Sequence, residues 1–203
     1  MFTGSMVAVA TPMNEDGSID FESFEKLIEF HIENKTDAIV PVGTTGESAT
    51  LNHEEHCETI SFVVSKVAKR IPVIAGTGAN STSEAIDLTK YAYDAGVDGC
   101  LSVTPYYNKP TQEGLYLHFK SIANAVPVPL IPYNVPGRTS CDMLPETVER
   151  FLSIKNIVAI KEAIGDVDRI KKLVSICGDK INILSGDDLT AMEALLNGGK
   201  GVI

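Results

Sequence analysis

The stretch Ile157-Val158-Ala159-Ile160-Lys161-Glu162-Ala163 decides how this chain is read. Its opening run is apolar and mostly β-branched, as expected of a strand buried on both faces in a parallel sheet covered by helices. The run then stops on a lysine. At the end of a buried strand an amine loses hydration, its ammonium form is disfavoured, and the free base can attack a ketone carbonyl to form a Schiff base. The plainer alternative is a lysine that leaves the sheet and pairs with Glu162.

Outward from this stretch, comparable segments recur at Met6 to Ala10, Ala38 to Val42, Pro72 to Ala75, Gly99 to Val103, Val128 to Tyr133 and Ile181 to Leu184. Helical periodicity lies between them. Phe24, Leu27, Ile28 and His31 share one helical face, as do Ile60, Val63, Val64 and Val67, and Leu115, Phe119, Ile122 and Ala123. Asn52 with Glu55 and Ser81 with Glu84 have capping-box spacing, and Pro145-Glu146 suits a first helical turn.

Strands alternating with helices imply right-handed βαβ units and a parallel sheet. Seven such units followed by Gly201-Val202-Ile203 predict a (β/α)8 TIM barrel, a single domain over residues 1–203 that stops within its eighth unit. Because such barrels take about 250 residues, the last helix and part of the last strand are expected to be missing, leaving an exposed strand edge. An open doubly wound sheet would need a Gly-x-Gly-x-x-Gly turn after its first strand, whereas this chain has Ala10-Thr11-Pro12-Met13-Asn14.

Composition narrows the function. The chain has 203 residues, 44% of them hydrophobic and 22% charged, which is ordinary for a folded globular protein. A net charge of -10 without a basic block argues against nucleic acid or an anionic membrane as partner. No apolar run reaches the roughly 18 residues of a membrane span and no signal peptide opens the chain, so a cytoplasmic location is expected. Cys57, Cys100, Cys141 and Cys177 form no Cys-x-x-Cys pair and read as reduced core residues.

In a barrel of this kind the site is built at the C-terminal ends of the strands. Those ends carry Thr11-Pro12, Gly43-Thr44-Thr45-Gly46-Glu47, Gly76-Thr77-Gly78, Thr104-Pro105-Tyr106-Tyr107, Tyr133 to Thr139, Lys161-Glu162 and Ser185-Gly186-Asp187-Asp188. A lysine that condenses with an α-keto acid needs a proton shuttle. The phenol of Tyr133 or Tyr107 can supply it if a hydroxyl such as that of Thr44 links them. Thr44, Thr45 and their glycine-flanked turn can present backbone N–H groups to a carboxylate, and the planar fork of Arg138 suits a second one.

Gly43-Thr-Thr-Gly-Glu47, Tyr106-Tyr107 after Thr104-Pro105, Tyr133-Asn-Val-Pro-Gly-Arg138-Thr139 and Ile160-Lys161-Glu-Ala163 together resemble the dihydrodipicolinate synthase family of pyruvate-dependent class I aldolases and lyases. The resemblance covers the whole chain. It implies a Schiff base between Lys161 and pyruvate, with Tyr133 as proton donor and acceptor and Thr44 and Tyr107 completing the relay. Tyr107 would come from a neighbouring subunit of a homotetramer built as a dimer of dimers. Thr45 and the main chain at Ile203 would hold pyruvate, Arg138 would receive the carboxylate of L-aspartate 4-semialdehyde, and Gly186 would line the pocket.

The same resemblance implies no metal and no organic cofactor, and a product on the route to diaminopimelate and lysine. Arg138 separates this family from the N-acetylneuraminate lyases, which as a rule lack it. That sugar-acid chemistry is the alternative activity, and a non-catalytic lysine-binding or interaction fragment is the alternative class. Ser48, Ala49, His53, His56, Asn80, Glu84 and Tyr106 match an allosteric L-lysine site of feedback-inhibited members, with a metal at His53 and His56 as the competing idea. Ile164 stands where the family commonly has threonine and is expected to alter pocket polarity.

Overall fold

The computed structural model describes residues 2–203. Strands and helices alternate as β1 (Gly4–Ala8), α1 (Phe21–Glu33), β2 (Ala38–Val40), α2 (His53–Val67), β3 (Ile74–Gly76), α3 (Thr82–Ala95), β4 (Gly99–Val103) and α4 (Gln112–Ala125). They continue as β5 (Leu130–Asn134), α5 (Pro136–Thr139), α6 (Pro145–Phe151), β6 (Ala159–Glu162), α7 (Val167–Cys177), β7 (Asn182–Ser185), α8 (Ala191–Leu196) and β8 (Gly201–Val202).

All eight strands are parallel, in the order β2-β1-β8-β7-β6-β5-β4-β3. A bridge between Ile39 and Val73 sets β2 beside β3, and Gly76 N–H donates to the Pro41 carbonyl at 2.9 Å, so the sheet closes into a (β/α)8 TIM barrel. The expected exposed edge at the eighth strand does not form. Although β8 has two residues, Gly201 pairs with Leu184 and Gly4, and Val202 pairs with Ser185 and Ser5. Backbone bonds from Lys200 to Ile183 at 2.8 Å, from Gly4 to Lys200 at 3.0 Å and from Ile203 to Ser185 at 2.9 Å extend that pairing at both ends.

The pleat sorts side chains into two cores. Met6, Val40, Ile74, Leu101, Ile131, Tyr133, Ala159 and Leu184 point into the barrel, and their neighbours Ile39, Cys100, Leu130, Ile160 and Ile183 pack outward against the helices. Phe24, Ile28, Ile60, Val63, Leu115, Phe119 and Ile122, the helical faces visible in the sequence, supply the other side of that outer layer. Asn52 and Glu55 form the full capping box, with bonds of 2.9 and 3.0 Å. Ser81 caps α3 from one side only, and Pro145 starts α6.

Candidate active site

Lys161 is the third residue of β6 and lies in register with Tyr133 of β5 and Leu184 of β7. Because strand neighbours alternate faces, Lys161 points into the barrel with Tyr133 while Glu162 points outward. The alternative pairing of Lys161 with Glu162 is therefore excluded by the pleat: Glu162 faces Asn134 and Arg169 instead. The Lys161 Nζ stands 4.2 Å from the centre of the Tyr133 ring.

Burial pulls the Lys161 ammonium down to about 8; Asp188 opposes the shift and Arg138 adds to it. An amine titrating there has roughly 300 times the free-base fraction of an ordinary lysine at pH 7, so it is prepared for attack on a carbonyl. Burial raises the Tyr133 phenol, countered by the charge of Arg138 and by the Thr44 hydroxyl set toward it. The phenol is thus held protonated near neutrality and can donate.

Gly186 makes room for the lysine. A Cβ at that position would lie 2.6 Å from Lys161 Cε and 2.9 Å from the Ala163 methyl, closer than packed carbons approach. On the opposite wall, a Cβ at Gly76 would lie 2.1 Å from the carbonyl oxygen of Val42, so the glycine lets β3 pass beneath the turn that carries Thr44 and Thr45. That turn starts at Val42 with φ 48°, a left-handed conformation costly for a β-branched residue. Bonds from Thr11 Oγ1 to the Gly46 carbonyl at 2.8 Å and from Glu47 N–H to the Thr44 carbonyl at 3.1 Å hold it closed.

Lys161, Tyr133, Thr44, Thr45, Arg138, Gly186 and Ile203 line one cavity of about 610 Å³ with Ser185, Asp187 and Asp188. Arg138, on the short α5, is exposed and in no ion pair among the described residues, which leaves its guanidinium free for an anion. Tyr107 is not brought to this cavity within the chain. It follows β4 with φ 74° and is 90% exposed. Ile164 does not line the cavity either; exposed outside it, it donates its N–H to Glu162 at 3.2 Å.

A second cavity of about 340 Å³ adjoins the first and shares Thr44, Val135 and Arg138 with it. Ser48, Ala49, His53, His56, Glu84 and Tyr106 line it, whereas Asn80 does not; the Asn80 carbonyl accepts from Asn108 at 3.2 Å. His56 is buried, which lowers its pKa, and its Nε2 bonds the Gly76 carbonyl at 2.8 Å. A carbonyl can only accept, so that nitrogen holds the proton and is unavailable to a metal. No cluster of three or more His, Cys, Asp or Glu side chains placed for a metal occurs among the described residues.

Sequence reasoning assigned no role to Asp188, whose charge faces Lys161, or to the outward network around Glu162. The Asp187-Asp188 pair stands on the rim by position, so only its charge relation to the lysine needed the structure.

The family model described as "Dihydrodipicolinate synthetase family" matches residues 1–203. A 4-hydroxy-tetrahydrodipicolinate synthase of Thioalkalivibrio sulfidiphilus is 66% identical over 203 residues, which are 100% of this chain and 69% of that protein. That of Nitrosococcus oceani is 61% identical over 100% of this chain and 70% of its own length. Among solved structures, the chloride-inhibited dihydrodipicolinate synthase of Acinetobacter baumannii complexed with pyruvate superposes with TM-score 0.99 at 57% identity, covering 100% of this chain and 70% of that one. The Cyanidioschyzon merolae enzyme with lysine bound gives TM-score 0.96 at 43% identity, covering 100% and 69%. The chain belongs to the dihydrodipicolinate synthetase family.

Proposed function

We propose that this protein is a 4-hydroxy-tetrahydrodipicolinate synthase, a lyase that condenses pyruvate with L-aspartate 4-semialdehyde in the cytoplasmic synthesis of diaminopimelate and lysine. The observation that carries the reading is the buried Lys161, titrating near 8 beside Tyr133 at the head of a cavity that also holds Thr45 and Arg138. Relatives at 61–66% identity with the same named activity support it.

In this reading the free amine of Lys161 attacks the keto carbon of pyruvate. Tyr133 protonates the departing hydroxyl as water leaves and the imine forms. Loss of a methyl proton to the Tyr133 phenolate then gives an enamine, whose carbon adds to the aldehyde of the second substrate as Tyr133 returns that proton to the aldehyde oxygen. The amino group of that substrate displaces Lys161 and closes the ring, releasing the free enzyme. Thr45 and the Ile203 main chain hold the pyruvate carboxylate, and Arg138 holds the carboxylate of the semialdehyde.

Thr44 passes protons between Tyr133 and the partner subunit's Tyr107, which makes the site complete only in an assembly. The 90% exposure of Tyr107 supports an assembly that sets this side chain against a neighbouring subunit, and a homotetramer built as a dimer of dimers is the form proposed. The second cavity is assigned to L-lysine as feedback inhibitor, with Glu84 facing its ammonium group. Calorimetry with L-lysine tests this, and absence of heat from the folded protein overturns it.

The sugar-acid alternative is separated by turnover. With pyruvate present, L-aspartate 4-semialdehyde is expected to be consumed while N-acetylneuraminate is not cleaved; the reverse result would overturn the assignment.

A further inference from the structure

Behind the reactive pair lies a second, outward-facing set of polar groups that the reaction as described does not use. Asn134 and Glu162 are in register across β5 and β6, one residue beyond the registered Tyr133 and Lys161. Both are buried. The Asn134 Nδ2 donates to both carboxylate oxygens of Glu162, at 3.0 and 3.1 Å, and to Asp142 Oδ1 at 2.8 Å. Its Oδ1 accepts from Met143 N–H at 2.9 Å.

Arg169 of α7 completes the set. Its guanidinium donates to both Asp142 oxygens, at 3.1 and 2.8 Å, and lies 3.6 Å from Glu162. Glu162 also accepts from Ile164 N–H at 3.2 Å, closing the turn after the lysine. One connected network therefore ties the C-terminal ends of β5 and β6 to each other. It also staples the segment from Val135 to Asp142, which carries Arg138, back onto Asn134.

Three things in this arrangement point to function. Such a network is costly where it is buried, since each member must be desolvated and an acid on its own would be destabilising. Sheet pairing already joins the two strands by their backbones, so the side-chain clamp is an addition placed at the two reacting positions. Further, the charge of Glu162 reaches the Tyr133 phenol through the strand and raises it.

We propose that Glu162 is a positioning residue for the Schiff-base reaction, acting through Asn134 on the Tyr133–Lys161 pair and through Asp142 and Arg169 on the turn that carries Arg138. The proposal rests on the assignment of Lys161 as the nucleophile. Displacing reacting groups by about 1 Å costs roughly 100-fold in rate, so a loosened clamp is read in turnover more than in binding.

The test compares Glu162→Ala with Glu162→Gln, which keeps the shape and an oxygen for Asn134 and Ile164. Glu162→Ala is expected to lower kcat roughly 10- to 100-fold with the KM for pyruvate within about threefold, and to slow borohydride-trapped adduct formation at Lys161 alongside. Glu162→Gln is expected to restore most of the loss. Should Glu162→Ala fail to fold, Asn134→Ser opens the same clamp from the other strand and is expected to give the same kcat loss at near-constant KM for pyruvate.

Wild-type kcat and trapping rates in a folded variant with an opened clamp would overturn the proposal while leaving the nucleophile assignment intact. So would a loss confined to thermal stability. No adduct in the wild-type protein would overturn the nucleophile assignment and this proposal with it.

Discussion

Lys161 and Glu162 are neighbours in the chain, both buried, and both pulled toward neutrality by that burial: the lysine down to about 8, the glutamate up to about 7. They differ in what surrounds them. Lys161 faces an open cavity of about 610 Å³ and has no ion pair among the described residues, whereas Glu162 faces Asn134, Arg169 and Ile164 N–H. The same desolvation thus makes a nucleophile on the face where space is left and a clamp on the face where partners fill it. A two-residue pleat separates the chemistry from its support.

The most severe way to break this contrast is to remove the amine. Lys161→Met is expected to lower turnover by roughly 1,000-fold or more and to abolish the pyruvate adduct. The same variant should be more stable than the wild type, because the buried ammonium carries a penalty on the order of 3 kcal/mol. The folded-state pKa lies below the unfolded one, so this gain is full below about pH 8 and fades as the pH rises toward 10.5. Denaturant unfolding at several pH values reads it.

Tyr133→Phe keeps the ring beside the amine and removes only the hydroxyl. Turnover should fall roughly 100-fold or more, and the accumulated pyruvate adduct should form more slowly. Gly186→Ala tests whether space on the lysine's face matters. The new Cβ would stand 2.6 Å from Lys161 Cε, and trapping should slow by about 100-fold in a protein whose circular dichroism is unchanged.

Arg138→Leu should raise the KM for the semialdehyde about 10-fold or more and leave pyruvate trapping intact, as measured by steady-state kinetics with each substrate varied.

The smallest effect sharpens the other face. The Glu162 carboxyl titrates at about 7 when folded, above its ordinary 4.5, so the cost of its ionisation is absent below pH 4.5 and is felt fully above about 7. Relative to wild type, Glu162→Gln should therefore gain a few degrees in Tm at about pH 8 and less at about pH 5, read by thermal unfolding at both.

Much of this was legible in the sequence, and the misses have physical causes. An apolar run marks burial, while a strand is set by its ladder, so β4 coincides with its expected range and β6 begins at Ala159 instead of Ile157. The exposed edge failed because a two-residue strand flanked by further backbone bonds is enough to join β7 to β1. Strand alternation alone could have ruled out a Lys161–Glu162 pair.

Ile164 was expected in the pocket and turns out of it, since the chain leaves the barrel after Ala163. The site residues of the rim followed from strand ends. The clamp did not, because it joins Asn134, Asp142, Glu162 and Arg169 across three elements with no local spacing to announce it. Asn80 was expected with the second cavity, yet its carbonyl is taken by Asn108 at the loop surface.

Borohydride trapping with pyruvate across the range from about pH 6 to about pH 9, followed by peptide mapping, tests the central claim most directly. The expected result is a reduced pyruvate adduct on Lys161 whose rate of formation rises with a midpoint near 8. A folded protein that yields no adduct, or yields it on a different lysine, would contradict the account.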